Sequence, residues 1–233
     1  VSTDLDRSSV SSRPEHHRRP HPLVRQLLVA IPLVPVWIGG MLVMGFVALG
    51  NRHLVDQMLL DANDVAGVKW YVGIVTYLAV LSWCTAVVSA LWGAWLSHLA
   101  DRRDDALFLF AGAAITAYVL ADDLLQLHAV FIPYHTGLNK HAAEGLIVVV
   151  VVGWLLVCWR QIARTRWLVL IGAGLALVAS LAIDATAGWG SPRLQLLAED
   201  GAKLLGALGW ATYFVATTAD TVRSAFRSVR TPT

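Results

Sequence analysis

The chain has 233 residues, of which 57% are apolar and 15% charged, with ten tryptophans and a formal net charge of +2. A soluble domain of this length needs far more charge to cover its surface, so the excess apolar side chains must face lipid, and nucleic acid is not an expected partner. Cys84 and Cys158 lie in separate apolar runs without a Cys-x-x-Cys pair, which excludes a disulfide framework and reads as two small buried hydrophobes.

The arm 1–26 holds Arg7, Arg13, Arg18, Arg19 and Arg25 among Ser, Pro and His. The apolar run that follows is too long for a signal-peptide core, so the arm reads as a disordered basic cytoplasmic tail. A spanning helix needs about twenty mostly apolar residues. Six stretches qualify: Leu27–Leu49, Tyr71–Leu99, Leu107–Phe131, Ala142–Trp159, Trp167–Trp189 and Leu194–Thr218. The expected fold is therefore all-α, a six-span transmembrane bundle over 27–218, followed by a basic tail at 219–233. Pro32 and Pro35 should bend the first span, since each removes a backbone donor. The loop Asn51–Lys69 reads equally well as an interfacial helix or as an extension of the second span.

Orientation follows from the loops. With the N-terminus inside, the cytoplasmic segments carry thirteen basic residues and the outer segments four, Arg52, Lys69, Lys140 and Arg193. This asymmetry predicts both termini in the cytoplasm of a cell-membrane protein. Trp70, Tyr71 and Trp189 then mark the outer interface, and Trp92, Trp95, Trp159 and Trp167 the inner one.

Ionisable residues within spans cost several kcal/mol and are functional candidates. Here they are Asp122, Asp123 and His128 in the third span, Glu144 in the fourth, Asp184 in the fifth, and Glu199, Asp200 and Lys203 in the sixth. Counting rise per residue along alternating helices places all eight in the outer half. One layer supplied by four helices suggests a polar, water-filled or ion-binding pocket opening outward; the competing reading is interhelical glue. Six carboxylates against one lysine and one histidine cannot all stay ionised there.

Spacing supplies some geometry. On a continuous helix Asp122 and Gln126 share a face while Asp123 points about 100° away. His128, five residues beyond Asp123, makes no ready helical metal clip with it. Lys203 stands i+4 from Glu199 and i+3 from Asp200 and is placed to bridge either. His135 and His141 belong to the outer loop and read as solvated residues able to fold over the pocket. Small residues at Gly201, Ala202, Gly206 and Gly209, and at Gly172, Gly174 and Ala176, predict close packing of the fifth and sixth spans, bringing Asp184 toward Lys203.

The strings Asp122-Asp123-Leu-Leu-Gln-Leu-His128 and Glu199-Asp200-Gly201-Ala-Lys203-Leu-Leu-Gly206 resemble a pattern in uncharacterised bacterial multi-pass membrane proteins. That pattern has an acidic pair followed by Leu-His-Glu, and an acidic pair with glycines in the last helix. Ala129 stands where the pattern has Glu. The resemblance implies that the acids matter and implies no reaction.

Two functions compete. The first is an integral membrane protein that binds or conducts a cation, proton or small polar solute through Asp122, Asp123, Gln126, His128, Glu144, Asp184, Glu199, Asp200 and Lys203. The second is a metal-dependent intramembrane hydrolase acting on lipid, with a lipid head group as partner, for which a divalent metal such as zinc is the cofactor candidate and His128, Asp123 and Glu199 the ligands. A structural accessory subunit is the remaining class. Retinal and haem readings fail for want of a seventh span and of facing histidines.

Overall fold

In the computed structural model the described residues are 38, 41, 42, 44–46, 49, 66–69, 71–186 and 191–230, with side chains through Ser224. The chain divides into two units between Val72 and Gly73. In the first, the helical positions Ile38, Met41, Leu42, Met44, Gly45 and Phe46 are all exposed. Most of the expected first span with Pro32 and Pro35, the basic arm, the loop question at 51–65, Trp70 and Trp189 lie outside the described residues.

All regular secondary structure among the described residues of the second unit is helical. Its elements are α1 (Ile74–Leu99), α2 (Arg103–Leu125), a π-helical turn (Leu127–Phe131), α3 (Ile132–Thr136), α4 (Lys140–Val157), α5 (Trp159–Ile162), α6 (Trp167–Ala185) and α7 (Pro192–Arg230). Four of these, α1, α2, α4 and α6, are long and apolar enough to cross a membrane. Their surfaces suit a lipid bilayer: leucines and valines such as Leu81, Val88, Leu146, Val149, Leu168 and Leu175 project outward from these helices. Water would penalise such a surface, whereas hydrocarbon accepts it.

Helix α7 packs along both α1 and α6, and α1 packs on α2. The approach is close because small residues line the seams. On α1 the buried positions Ala79, Ala86, Ala90 and Ala94 recur at helical spacing. A Cβ at Gly206 would fall 2.6 Å from Leu177, and one at Gly209 3.0 Å from Ala173. The expected pairing of the last two spans therefore holds through Gly206 and Gly209, but Gly172, Gly174 and Gly201 face open space. Ala173, between Gly172 and Gly174, and Leu177, three residues beyond Gly174, form the α6 side of the seam.

Aromatic rings fill the middle of the unit. Trp154 stacks on Phe108 at 5.5 Å and lies 5.9 Å from Trp210, which meets Trp83 edge-on at 6.4 Å. Each buried indole N–H has an acceptor, as it must in a low-dielectric interior. Trp210 donates to Thr116 Oγ1 (2.9 Å), Trp154 to the Phe108 carbonyl (3.4 Å), and Trp83 to Asp123 Oδ2 (3.1 Å). The last bond ties this core to the polar residues above it. At the opposite helix ends Trp92, Trp95, Trp159 and Trp167 are exposed. There Arg166 pairs with Asp220 at 3.0 Å, joining α6 to α7, and Arg102 bonds Ser224.

The expected third span is not one helix. It stops at Leu125 because Gln126 adopts the left-handed conformation (φ 51°), its N–H closing on the Asp122 carbonyl. The π turn then begins, and Val130 and Phe131 both donate to the Gln126 carbonyl at 2.9 and 3.4 Å. The stretch expected as the fifth span forms α6, described to Ala185 and Thr186, and the stretch expected as the sixth lies within α7, a helix that continues past Thr218 to Arg230 and is not one of the four apolar membrane-length helices.

Candidate polar cluster at the helix ends

The ionisable residues form two networks where α2 ends and α4 and α7 begin. The first is built around Glu144. Asn139 caps α4, its side chain accepting from the Ala142 N–H at 2.7 Å. The first turns of α4 thereby project Lys140, His141 and Glu144 at i, i+1 and i+4, and the positive end of the helix dipole favours the carboxylate. Glu144 Oε1 faces His128 Nε2 at 3.5 Å and Lys140 Nζ at 3.6 Å, while Oε2 faces His141 Nδ1 at 3.2 Å. Lys140 Nζ reaches across to Asp184 Oδ2 at 2.6 Å, at the end of α6.

The other nitrogen of His128 lies 2.6 Å from Asp122 Oδ2, and its backbone N–H donates to Asp122 Oδ1 at 2.8 Å. The imidazole thus links two carboxylates from α2 and α4. As an imidazolium it donates to both; as a neutral ring it donates to one. This contact exists because the left-handed Gln126 and the π turn fold the chain back over the last turn of α2. On an unbroken helix a residue six positions on would point elsewhere.

The second network is centred on Asp123. Its carboxylate forms an ion pair with Lys203 of α7 and accepts from the Trp83 indole of α1, so three helices meet on one side chain. The Asp123 side chain is 7% exposed and that of Lys203 36%, so the lysine tip stays near the polar boundary.

Several expected placements change. Gln126 does not share a face with Asp122: it is exposed and serves as the left-handed cap that ends the helix. Lys203 bridges neither Glu199 nor Asp200; its partner is Asp123, because α7 turns that side chain toward α2. Glu199 and Asp200 are half-buried and make no ion pair within 4 Å among the described residues. His128, Asp123 and Glu199 do not converge as a ligand set, since the first two belong to separate networks. The set that does converge among the described residues is His141, Glu144 and Asp184, whose ligand atoms all lie within 4.8 Å of one another. A divalent metal could be held there. His135 stays apart, its ring tilted against Phe131 at 4.5 Å and edge-to-face with Tyr134 at 4.9 Å.

Lys140 is the residue that sequence reasoning counted only as a loop charge. The i, i+4 spacing to Glu144 was the available signal. Its bond to Asp184 depends on how α4 and α6 are rotated, which spacing along one helix does not contain.

No curated protein and no solved structure matches the chain. A family model described as a domain of unknown function (DUF8692) matches residues 27–217, a range that includes every residue of both networks, and the chain belongs to that family.

Proposed function

We propose that this is a six-span membrane protein with both termini cytoplasmic, which binds a cation in a polar layer at the outer ends of its helices. The excess of basic residues in the segments assigned to the cytoplasm supports the orientation. One observation carries the binding reading: the cluster already accommodates an ammonium, that of Lys140, set 2.6 Å from Asp184 and 3.6 Å from Glu144. Carboxylates on two helices at that separation form a cradle for a positive ion, and the layer offers more acids than tethered cations to balance them. Transport of that ion is the natural extension, because ion pathways are where intramembrane charge is retained.

The test is thermal unfolding of the purified full chain in detergent with sodium, potassium, magnesium or calcium chloride, against choline chloride at equal ionic strength. At least one cation should raise the midpoint in the parent protein and lose that effect in Glu144→Gln and Asp184→Asn. A cation effect equal in parent and variants would overturn the reading. A metal-dependent lipid hydrolase is the second reading, favoured by the His141, Glu144 and Asp184 set, which supplies three ligand groups, the number of protein ligands at a catalytic zinc. Metal-dependent release of fatty acid from ceramide or phospholipid vesicles, abolished by His141→Ala, would place it first.

A further inference from the structure

We infer that the ion taken by this cluster is a divalent transition metal of the zinc class, held by His141, Glu144 and Asp184, with Lys140 as its built-in competitor. This rests on the cation-binding reading above and adds the ligand class and a device that limits affinity.

The donor set points to that class. Magnesium and calcium favour all-oxygen shells, whereas an imidazole with two carboxylates suits zinc, cobalt or nickel. The spacing agrees. A tetrahedral ion with bonds of about 2.0 Å separates neighbouring ligand atoms by about 3.3 Å. His141 Nδ1 and Glu144 Oε2 are 3.2 Å apart, so an ion fits between them with little movement. Asp184, within 4.8 Å of both, closes by about an ångström or more to complete a third bond. Glu144 is oriented for this from its other side, where Oε1 meets His128 and Lys140 and leaves Oε2 to the ion. The His141 side chain is 66% exposed, which gives the ion a route in.

Lys140 stands against this ion. Its Nζ lies 2.6 Å from Oδ2 of Asp184, on the carboxylate that would serve as the third ligand. An ammonium and a divalent ion on one carboxylate repel strongly at a few ångströms, so binding requires the lysine to swing away. The side chain is 39% exposed and has room to do so. Lys140 thus holds Asp184 in place when metal is scarce and yields it when metal is abundant.

The experiment is titration of the purified full chain with cobalt(II), read by its visible absorption, and with zinc(II), read by competition. Lys140→Met and Lys140→Gln should each bind on the order of tenfold more tightly than the parent, from loss of the competing charge. His141→Ala, in an exposed position, should abolish the cobalt band in the parent and in Lys140→Met alike. Equal affinity in the parent and both Lys140 variants overturns the competitor role. A band that survives His141→Ala, or no band in any variant, overturns the metal assignment. If magnesium, calcium or a monovalent ion still stabilises through Glu144 and Asp184 while cobalt gives no band, cation binding stands and the metal inference falls. If no ion acts, both fall.

Discussion

Lys203→Met tests the buried network most directly. It removes the one cation paired with Asp123 among the described residues and leaves that carboxylate with the Trp83 indole N–H as a donor. Breaking a buried ion pair from one side costs about 3–5 kcal/mol. Lys203 is about a third exposed, and a partly solvated ammonium contributes less, so about 2–3 kcal/mol is expected here. Asp123→Asn keeps an acceptor for Trp83 and frees Lys203 to extend toward water, at about 1–2 kcal/mol. The double variant carries no stranded charge, so the two losses should fall short of additivity by about 1–2 kcal/mol. The assay is reversible unfolding in mixed micelles of rising sodium dodecyl sulfate content, applied to all four proteins. Coupling below about 0.5 kcal/mol would refute the assignment of Lys203 to Asp123. Asp184→Asn with Lys203→Met is the control: Asp184 is held by Lys140, so that pair should be additive within about 0.5 kcal/mol.

Two further outcomes are expected. Gly112→Ala places a Cβ 2.7 Å from Phe214 and 3.1 Å from Trp154, and should lower stability in the same assay by about 1–3 kcal/mol; Gly145→Ala and Gly153→Ala, in open space, should be neutral or slightly stabilising. At the other helix ends, hydrogen bonding from Arg166 holds the Asp220 carboxyl below its ordinary value of 3.8, opposed by slight burial and helped by the charges of Arg166 and Arg223. A lowered folded-state value means the stabilisation is present above 3.8 and is lost as pH falls through the folded value. The thermal midpoint of the parent should therefore fall more steeply below pH 4 than that of Asp220→Asn, with a difference that shrinks in high salt.

What could be read in advance follows from what a linear sequence contains. The apolar runs of α1, α4 and α6 announced themselves because spanning length is a local property. That Asp122, Glu144 and Asp184 come near one another was partly legible, since rise per residue converts position into height along each helix. Rotation was not. Whether Lys203 looks back along its own helix to Glu199 or across to Asp123 depends on how α7 faces α2, and Lys140 meets Asp184 for the same kind of reason. The break at Gln126 was hidden for a different cause. Left-handed backbone is usually announced by Gly or Asn, and here a glutamine adopts it between leucine-rich segments that favour continuing the helix. The visible punctuation, Pro133 and Gly137, comes several residues later and marks only the first turn and the end of α3.

That break also makes the cluster depend on residue count as well as residue identity. The π turn accommodates Leu127–Phe131 by giving the Gln126 carbonyl an i+5 partner in Phe131. Removing one residue from this stretch would leave Asp122, His128 and Glu144 chemically intact while advancing the following chain by about 100° of helical rotation. Homologues that keep all three side chains but differ by one residue here would have lost the register that brings the imidazole between its two carboxylates. Length in this short segment is thus a character of the family to be compared in its own right.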